Sequence, residues 1–178
     1  MNIFERKFTT GQLCSVTGIT NANLQNWLKR GIIVGHGIEG GGSPGKYRQF
    51  TFFNLMEIAI AKEGLDSGLQ LEHAFRAGRL FAHSGDGPLG DIRPARLPGL
   101  PFWGGGKSMR TLMAVRGERT AIVPYQVGKD PLPSIWHELG EINGFILIDA
   151  EGVFERIVAT IHYAPGDVMR WAYGERAD

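Results

Sequence analysis

Apolar positions along residues 9–83 recur at helical spacing in four stretches, separated by glycine-containing breaks. Thr9 followed by Gln12 forms a capping-box pair and opens a first helix running to about Val16, with Gly18 suited to the tight turn that follows. Thr20 is placed to cap a second helix extending to about Arg30, and Gly31 to stop it. This second helix has two unlike sides: Leu24, Trp27 and Leu28 lie on one, and Asn21, Gln25, Asn26 and Lys29 on the other. Thr51 caps a third helix over "FFNLMEIAIAKEGL". "GLQLEHAFRAGRLFAH" predicts a fourth, with Leu71, Ala74, Phe75 and Leu80 available for burial. Between the second and third helices, the strand-like pieces Ile32–His36 and Lys46–Phe50 flank a tip too rich in glycine for regular structure. They are expected to pair with each other as a hairpin, a wing.

The pattern changes at Ser84. "SGDGPLGDIRPARLPGLPFWGGGKS" is dense in Gly and Pro and holds no sustained period, so residues 84–108 read as a linker or an irregular covering arm. Phe102 and Trp103 are costly to leave in water, which requires part of this segment to dock on a neighbour. Beyond it, "TLMAV" and "TAIVPYQV" joined by "RGER" predict a hairpin, and "GFILIDA" a buried strand. "VFERIVATIHY" predicts a helix in which Val153, Phe154, Ile157, Val158 and Ile161 form one apolar stripe. The expected fold class is therefore α+β in three parts: four helices with a β-hairpin wing over 1–83, the linker over 84–108, and a small α+β unit over 109–178. A unit of that size buries little surface alone. It is expected to lean on a partner subunit or on the first part, and the helix Val153–Ile161 is the first candidate for a subunit contact, with burial of its stripe inside its own domain as the equal alternative.

Composition narrows the class. With 43% hydrophobic and 21% charged residues the chain is globular, and no apolar run is long enough to span a membrane. "MNIFERKFTT" lacks the apolar core of a signal peptide, and the single cysteine, Cys14, has no partner for an internal disulfide. A cytoplasmic protein is the expectation. The net charge of +1 hides an asymmetry. Residues 1–50 carry six Lys/Arg against Glu5 and Glu39, a net of +4, whereas from Ser84 onward ten Lys/Arg face twelve Asp/Glu, a net of −2. A polyanion-binding module joined to a near-neutral unit has this distribution.

Taken in order, "FTTGQLCSVTGITNANLQNWLKRGII", "KYRQFTFFNLMEI" and "KEGLDSGLQLEHA" resemble the MerR-like winged helix-turn-helix. The resemblance rests on Phe8 and Thr9 opening the first helix, the small residue Cys14 within it, the Gly18-Ile19 turn and the Gly31-Ile32 stop. It also rests on Arg48 and Phe50 ending the wing, and on Gly68, Leu71, Glu72 and Ala74 opening the fourth helix. It covers residues 8–82, less than half the chain. The family usually has Arg where this chain has Gln25 and Tyr where it has Trp27, and the long coiled coil expected after the fourth helix is replaced by Gly/Pro-rich chain. "LQNWLKRG" beside a Gly-rich wing is also similar to the DNA-binding end of phage terminase small subunits, which share this fold.

The resemblance implies a DNA-binding role in which the second helix enters the major groove. Ala22, Gln25 and Asn26, with Asn21 at the N-terminal edge, would then face base edges, since amides pair with adenine and an alanine methyl can meet a thymine methyl, and the capping Thr20 joins the DNA-binding set. Lys29 and Arg30 would reach phosphates or guanine, and the wing residues Lys46, Tyr47 and Arg48 would hold the backbone. The expectation is a non-enzymatic, sequence-specific regulator of double-stranded DNA, working as a homodimer, with no cofactor. A packaging or architectural role is the alternative. A further one is an enzyme or ligand-sensing role in which the last part binds a small ligand near Tyr125, Trp136 and His162, and that part could instead take a protein partner.

Other signals carry less. "GGGKS" at 104–108 has Pro101 where a phosphate loop needs Gly, and no strand precedes it. "HELGE" lacks the second His of the zinc motif, and the five histidines show no ligand spacing with each other or with Cys14. Asp149 and Glu151 after a strand are ordinary residues for a strand-to-helix turn.

Overall fold

The computed structural model describes residues 2–33, 38, 40, 47–86, 95–103, 109–140 and 143–174. Among them the chain is α+β, with seven helices and two small antiparallel sheets. In order these are β1 (Phe8–Thr9), α1 (Thr10–Thr17), α2 (Asn21–Lys29), β2 (Gln49–Phe50), α3 (Phe52–Asp66) and α4 (Leu71–His83). There follow β3 (Met109–Arg116), β4 (Arg119–Gln126), α5 (Leu132–Leu139), β5 (Ile146–Asp149), α6 (Ala150–Thr160) and α7 (Pro165–Tyr173).

Local chemistry explains the helix ends of the first half. Thr9 and Thr51 each accept from the backbone N–H three residues on, and Gln12 and Asn54 return the bond, so α1 and α3 open on full capping boxes. Thr20 caps α2 through the Asn23 N–H at 3.1 Å. At the other end of α2, Gly31 (φ 66°) lets its own N–H reach the Leu28 carbonyl while that of Ile32 reaches Trp27, a Schellman closure.

The apolar helix α3 is the centre of the molecule. Residues from all its sides are buried, as expected of a helix that is apolar all round, and it contacts α1, α4 and α6. The approach of α4 is close. A Cβ at Gly78 would lie 2.4 Å from the Glu57 carbonyl, so glycine sets this spacing.

The strands depart from the sequence reading at two places. While the expected pairing with Ile32–His36 lies largely outside the described residues, the end of the wing segment, Gln49–Phe50, pairs with Phe8–Thr9, a partner not anticipated from sequence. The reason is burial: Phe8 and Phe50 face each other across this two-stranded ribbon and both are fully covered. Residues 34–37, 39 and 41–46, which include the wing tip and Lys46, lie outside the described residues. The strand expected to be buried, β5, is instead an edge strand, because the order β4-β3-β5 leaves it one neighbour. Leu147 is 46% exposed on it.

The β3–β4 hairpin turns through Gly117 and Glu118, as "RGER" predicts. One face of this sheet carries Leu112, Ala114, Ala121 and Val123, covered by Ile135 and Leu139 of α5. The other contributes Met113, Val115, Ile122 and Ile148 to the main core. That core runs without a break from Ile3 to Met169, drawing on residues from both ends of the chain. The α6 stripe Val153, Phe154, Ile157, Val158 and Ile161 is buried in it, with α6 against α3. Of the two readings of this stripe, subunit contact or burial within the chain, burial within the chain is observed.

The Gly/Pro-rich arm is docked where it is described. Arg96, 1% exposed, donates to the carbonyls of Phe81, Leu97, Leu100, Leu80 and Ser84 and pairs with Asp86. It thereby neutralises the negative end of α4 and holds the turn at residues 97–100 against it. Tyr173 of α7 donates to the Pro101 carbonyl and accepts from the Leu97 N–H, both at 2.8 Å. Burial pushes its hydroxyl up to about 12.

Candidate nucleic-acid interface

The two sides of α2 separate as the sequence pattern requires. Leu24 and Trp27 are buried, and the indole meets Phe75 of α4 edge-on with 4.9 Å between ring centroids. On the opposite side Asn21, Ala22, Gln25, Asn26, Lys29 and Arg30 are all exposed, as is the capping Thr20. None of the chain's described later residues covers this face.

Arg48 reaches the same face. Its Nη1 donates to Gln25 Oε1 at 2.9 Å, and Gln25 Nε2 donates to Asn21 Oδ1 at 3.2 Å. The β1–β2 ribbon makes this possible, because Phe50 is anchored in the core and Arg48 leaves the ribbon beside the second helical turn of α2. Tyr47, next to it, is 84% exposed. Lys46 lies outside the described residues. Of the residues singled out by sequence, Asn21, Gln25 and Arg48 form one hydrogen-bonded row, with the remaining described ones around it.

Arg30 is less free than the helix pattern implies, because Glu72 of α4 stands 3.9 Å from its Nη2. Both side chains are half exposed or more, so the pair contributes little to stability and separates readily. Sequence reasoning missed the neighbouring Arg76 and Arg79. Arg79 donates to the Ile32 carbonyl at 2.8 Å and fastens the end of α2 to α4. Their signal was the polar spacing of α4, Arg76 and Arg79 standing at i and i+3.

Elsewhere the chemistry is structural. Asp149 caps α6 through the Gly152 N–H at 2.9 Å, as a strand-to-helix turn should. Arg110 binds Asp149 at 3.0 Å and Glu155 at 3.2 Å. Glu151 accepts from the Thr111 N–H at 2.8 Å, and burial pushes its carboxyl up to about 7, with Glu155 and Asp149 adding to the rise and Arg110 and the Thr111 N–H opposing it. Cys14 packs on the core, and burial raises its thiol, which disfavours the thiolate. Among the described residues no group of three or more His, Cys, Asp or Glu is placed to hold a metal ion. No helix among them is long and apolar enough to cross a membrane. Of the residues expected to line a pocket in the last part, Tyr125 packs on the small cluster under α5 and Trp136 is exposed, while His162 lines a cleft with Arg6, Gln12 and Ser15. No protein-family model matches the chain, and no curated protein matches it.

Proposed function

We propose that residues 8–82 act as a MerR-like winged helix-turn-helix that binds double-stranded DNA, with α2 in the major groove and Arg48 on the backbone beside it. The observation that carries this reading is the row Arg48, Gln25, Asn21 on the uncovered side of α2. A reading helix needs amides that are exposed yet held in a fixed orientation, and a cation beside it for the phosphates. Three further features support it. The helix is fastened from behind by Trp27 on Phe75 and by Arg79 on the Ile32 carbonyl, so its exposed groups are presented on a rigid element. Net positive charge is concentrated in the first 50 residues. The order of α1, turn, α2, loop and β2 is that of the resemblance.

The activity proposed is sequence-specific and non-enzymatic, as in a dimeric regulator. With the α6 stripe buried, a dimer would use another surface. Selection of bound duplexes from a random pool tests the reading. A recovered motif with two-fold symmetry and half-sites about one helical turn apart, or a multiple of it, supports both sequence reading and dimerisation. A pool that yields no enrichment after repeated rounds, with the protein folded throughout, overturns it.

A further inference from the structure

Between α4 and the β3–β4 hairpin lies a cleft of about 440 Å³ lined by Arg76, Arg79, His83, Glu118 and Thr120. A second, of about 350 Å³, shares Arg76 and Arg79 and extends to Arg30 and Glu72 at the end of α2. Three features of the first set it apart from ordinary surface. Among the described residues Arg79 has no carboxylate partner, and its one hydrogen bond goes to a neutral carbonyl, that of Ile32. A half-buried guanidinium with donors to spare is costly unless an anion completes it. Thr120 lines the same cleft, and its hydroxyl is buried with no hydrogen-bond partner among the described residues. Lastly, Arg76 is held by Glu118 at 3.4 Å, but these side chains are 49% and 74% exposed, so Glu118 swings away at little cost.

The charges near the cleft favour an anion. His83 is turned inward onto the buried Glu57, with Nε2 2.9 Å from Oε2, so that oxygen is engaged by the imidazole, while Oε1 has no hydrogen-bond partner among the described residues. The carbonyls at the end of α4, which would repel an anion, are occupied by Arg96. Two guanidinium groups one helical turn apart, with an unpartnered hydroxyl on a residue of the cleft wall, offer the kind of donors that a phosphate group takes.

We propose that this cleft binds a phosphate group, held by Arg76, Arg79 and Thr120. The group has two possible sources: a small phosphorylated molecule, or a backbone phosphate of nucleic acid. The first is independent of the DNA-binding reading, and the second rests on it.

The experiment measures thermal stability of the full chain with inorganic phosphate and pyrophosphate, against potassium chloride at the same ionic strength. Duplex affinity is measured in parallel. Arg79→Gln and Thr120→Val test the site from its two sides, and Arg48→Ala serves as the control that leaves it intact. Thr120→Val keeps strand β4 and replaces an unsatisfied hydroxyl by a methyl, so without phosphate it should melt no lower than wild type. A small-molecule site predicts that pyrophosphate stabilises wild type and Arg48→Ala alike, and that each cleft variant weakens its binding by roughly tenfold or more. A backbone site predicts no stabilisation by either salt, but weaker duplex binding in both cleft variants. Stabilisation that persists in both variants overturns the proposal, as does the absence of any effect on phosphate and duplex alike. Loss of duplex binding by Arg48→Ala, with the pyrophosphate response intact, shows that the two readings stand separately.

Discussion

Replacing Arg48 by Ala removes a cation from beside α2 and releases Gln25 from its anchor, and the two losses have different signatures. The hydrogen bond lies between solvent-accessible side chains, so its removal should cost folding less than about 1 kcal/mol and leave the melting temperature nearly unchanged. For DNA the effect is larger. Each neutralised phosphate contributes about 0.9 to the slope of log K against log salt, so losing one weakens binding about eightfold at about 100 mM salt and about fourfold at about 200 mM. Release of Gln25 adds a loss of selectivity, because its amide is no longer held by Arg48 at 2.9 Å. Arg48→Lys separates the two: it keeps the charge but not the planar fork that fixes the amide, so the salt slope should survive while discrimination falls. Fluorescence anisotropy with a selected duplex and a scrambled one, from about 50 to about 300 mM salt, reads both quantities. Equal slopes for wild type and Arg48→Ala would refute the placement of Arg48 on the backbone. Equal selectivity for wild type and Arg48→Lys would refute the bridging role.

The other predictions concern the reading face, the arm and pH. Asn26→Ala should leave the salt slope unchanged and shift preference at one base pair by about 1–3 kcal/mol, seen by repeating the duplex selection with the variant. Arg96→Ala strands the carbonyls of Phe81, Leu100 and Ser84 and should destabilise the fold by about 3–5 kcal/mol in chemical denaturation. Glu151, with its carboxyl raised to about 7, binds its proton more tightly folded than unfolded, so its contribution is present below the ordinary carboxylate range near 4.5 and is lost as pH rises to about 7. Glu151→Gln can still accept from Thr111 and should gain on the order of 1 kcal/mol over wild type at pH 8, after allowance for solvent screening, with no gain at pH 4 in thermal melts.

What could be read from the chain is what is decided within a few residues. The caps at Thr9, Thr20 and Thr51, the stop at Gly31 and the tight turn at Gly117 are satisfied by neighbours three to five positions away, so sequence alone locates α1 to α3 and the β3–β4 hairpin, while α4, which has no side-chain cap, is located by its periodicity. The division of α2 into an apolar and an amide side is equally local, since helical periodicity sets it. The short helices α5 and α7 were missed although each begins with proline in its first turn, because eight or nine residues carry too few apolar repeats to stand out.

Partnership is what tertiary structure decided. An apolar stripe states that α6 must be covered but not by what, and folding chose α3 over a second subunit. The Lys46–Phe50 piece reads as half a hairpin, yet its last two residues pair some forty positions back, because a fully buried Phe8–Phe50 contact outweighs the entropy of closing that loop. Arg96 looks like one charge in a Gly/Pro-rich linker, and only the end of α4 makes it the clamp of the arm. The meeting of Arg48 with Gln25 has the same origin: the amides were visible in the sequence, while the cation was brought to them by a core contact two residues away.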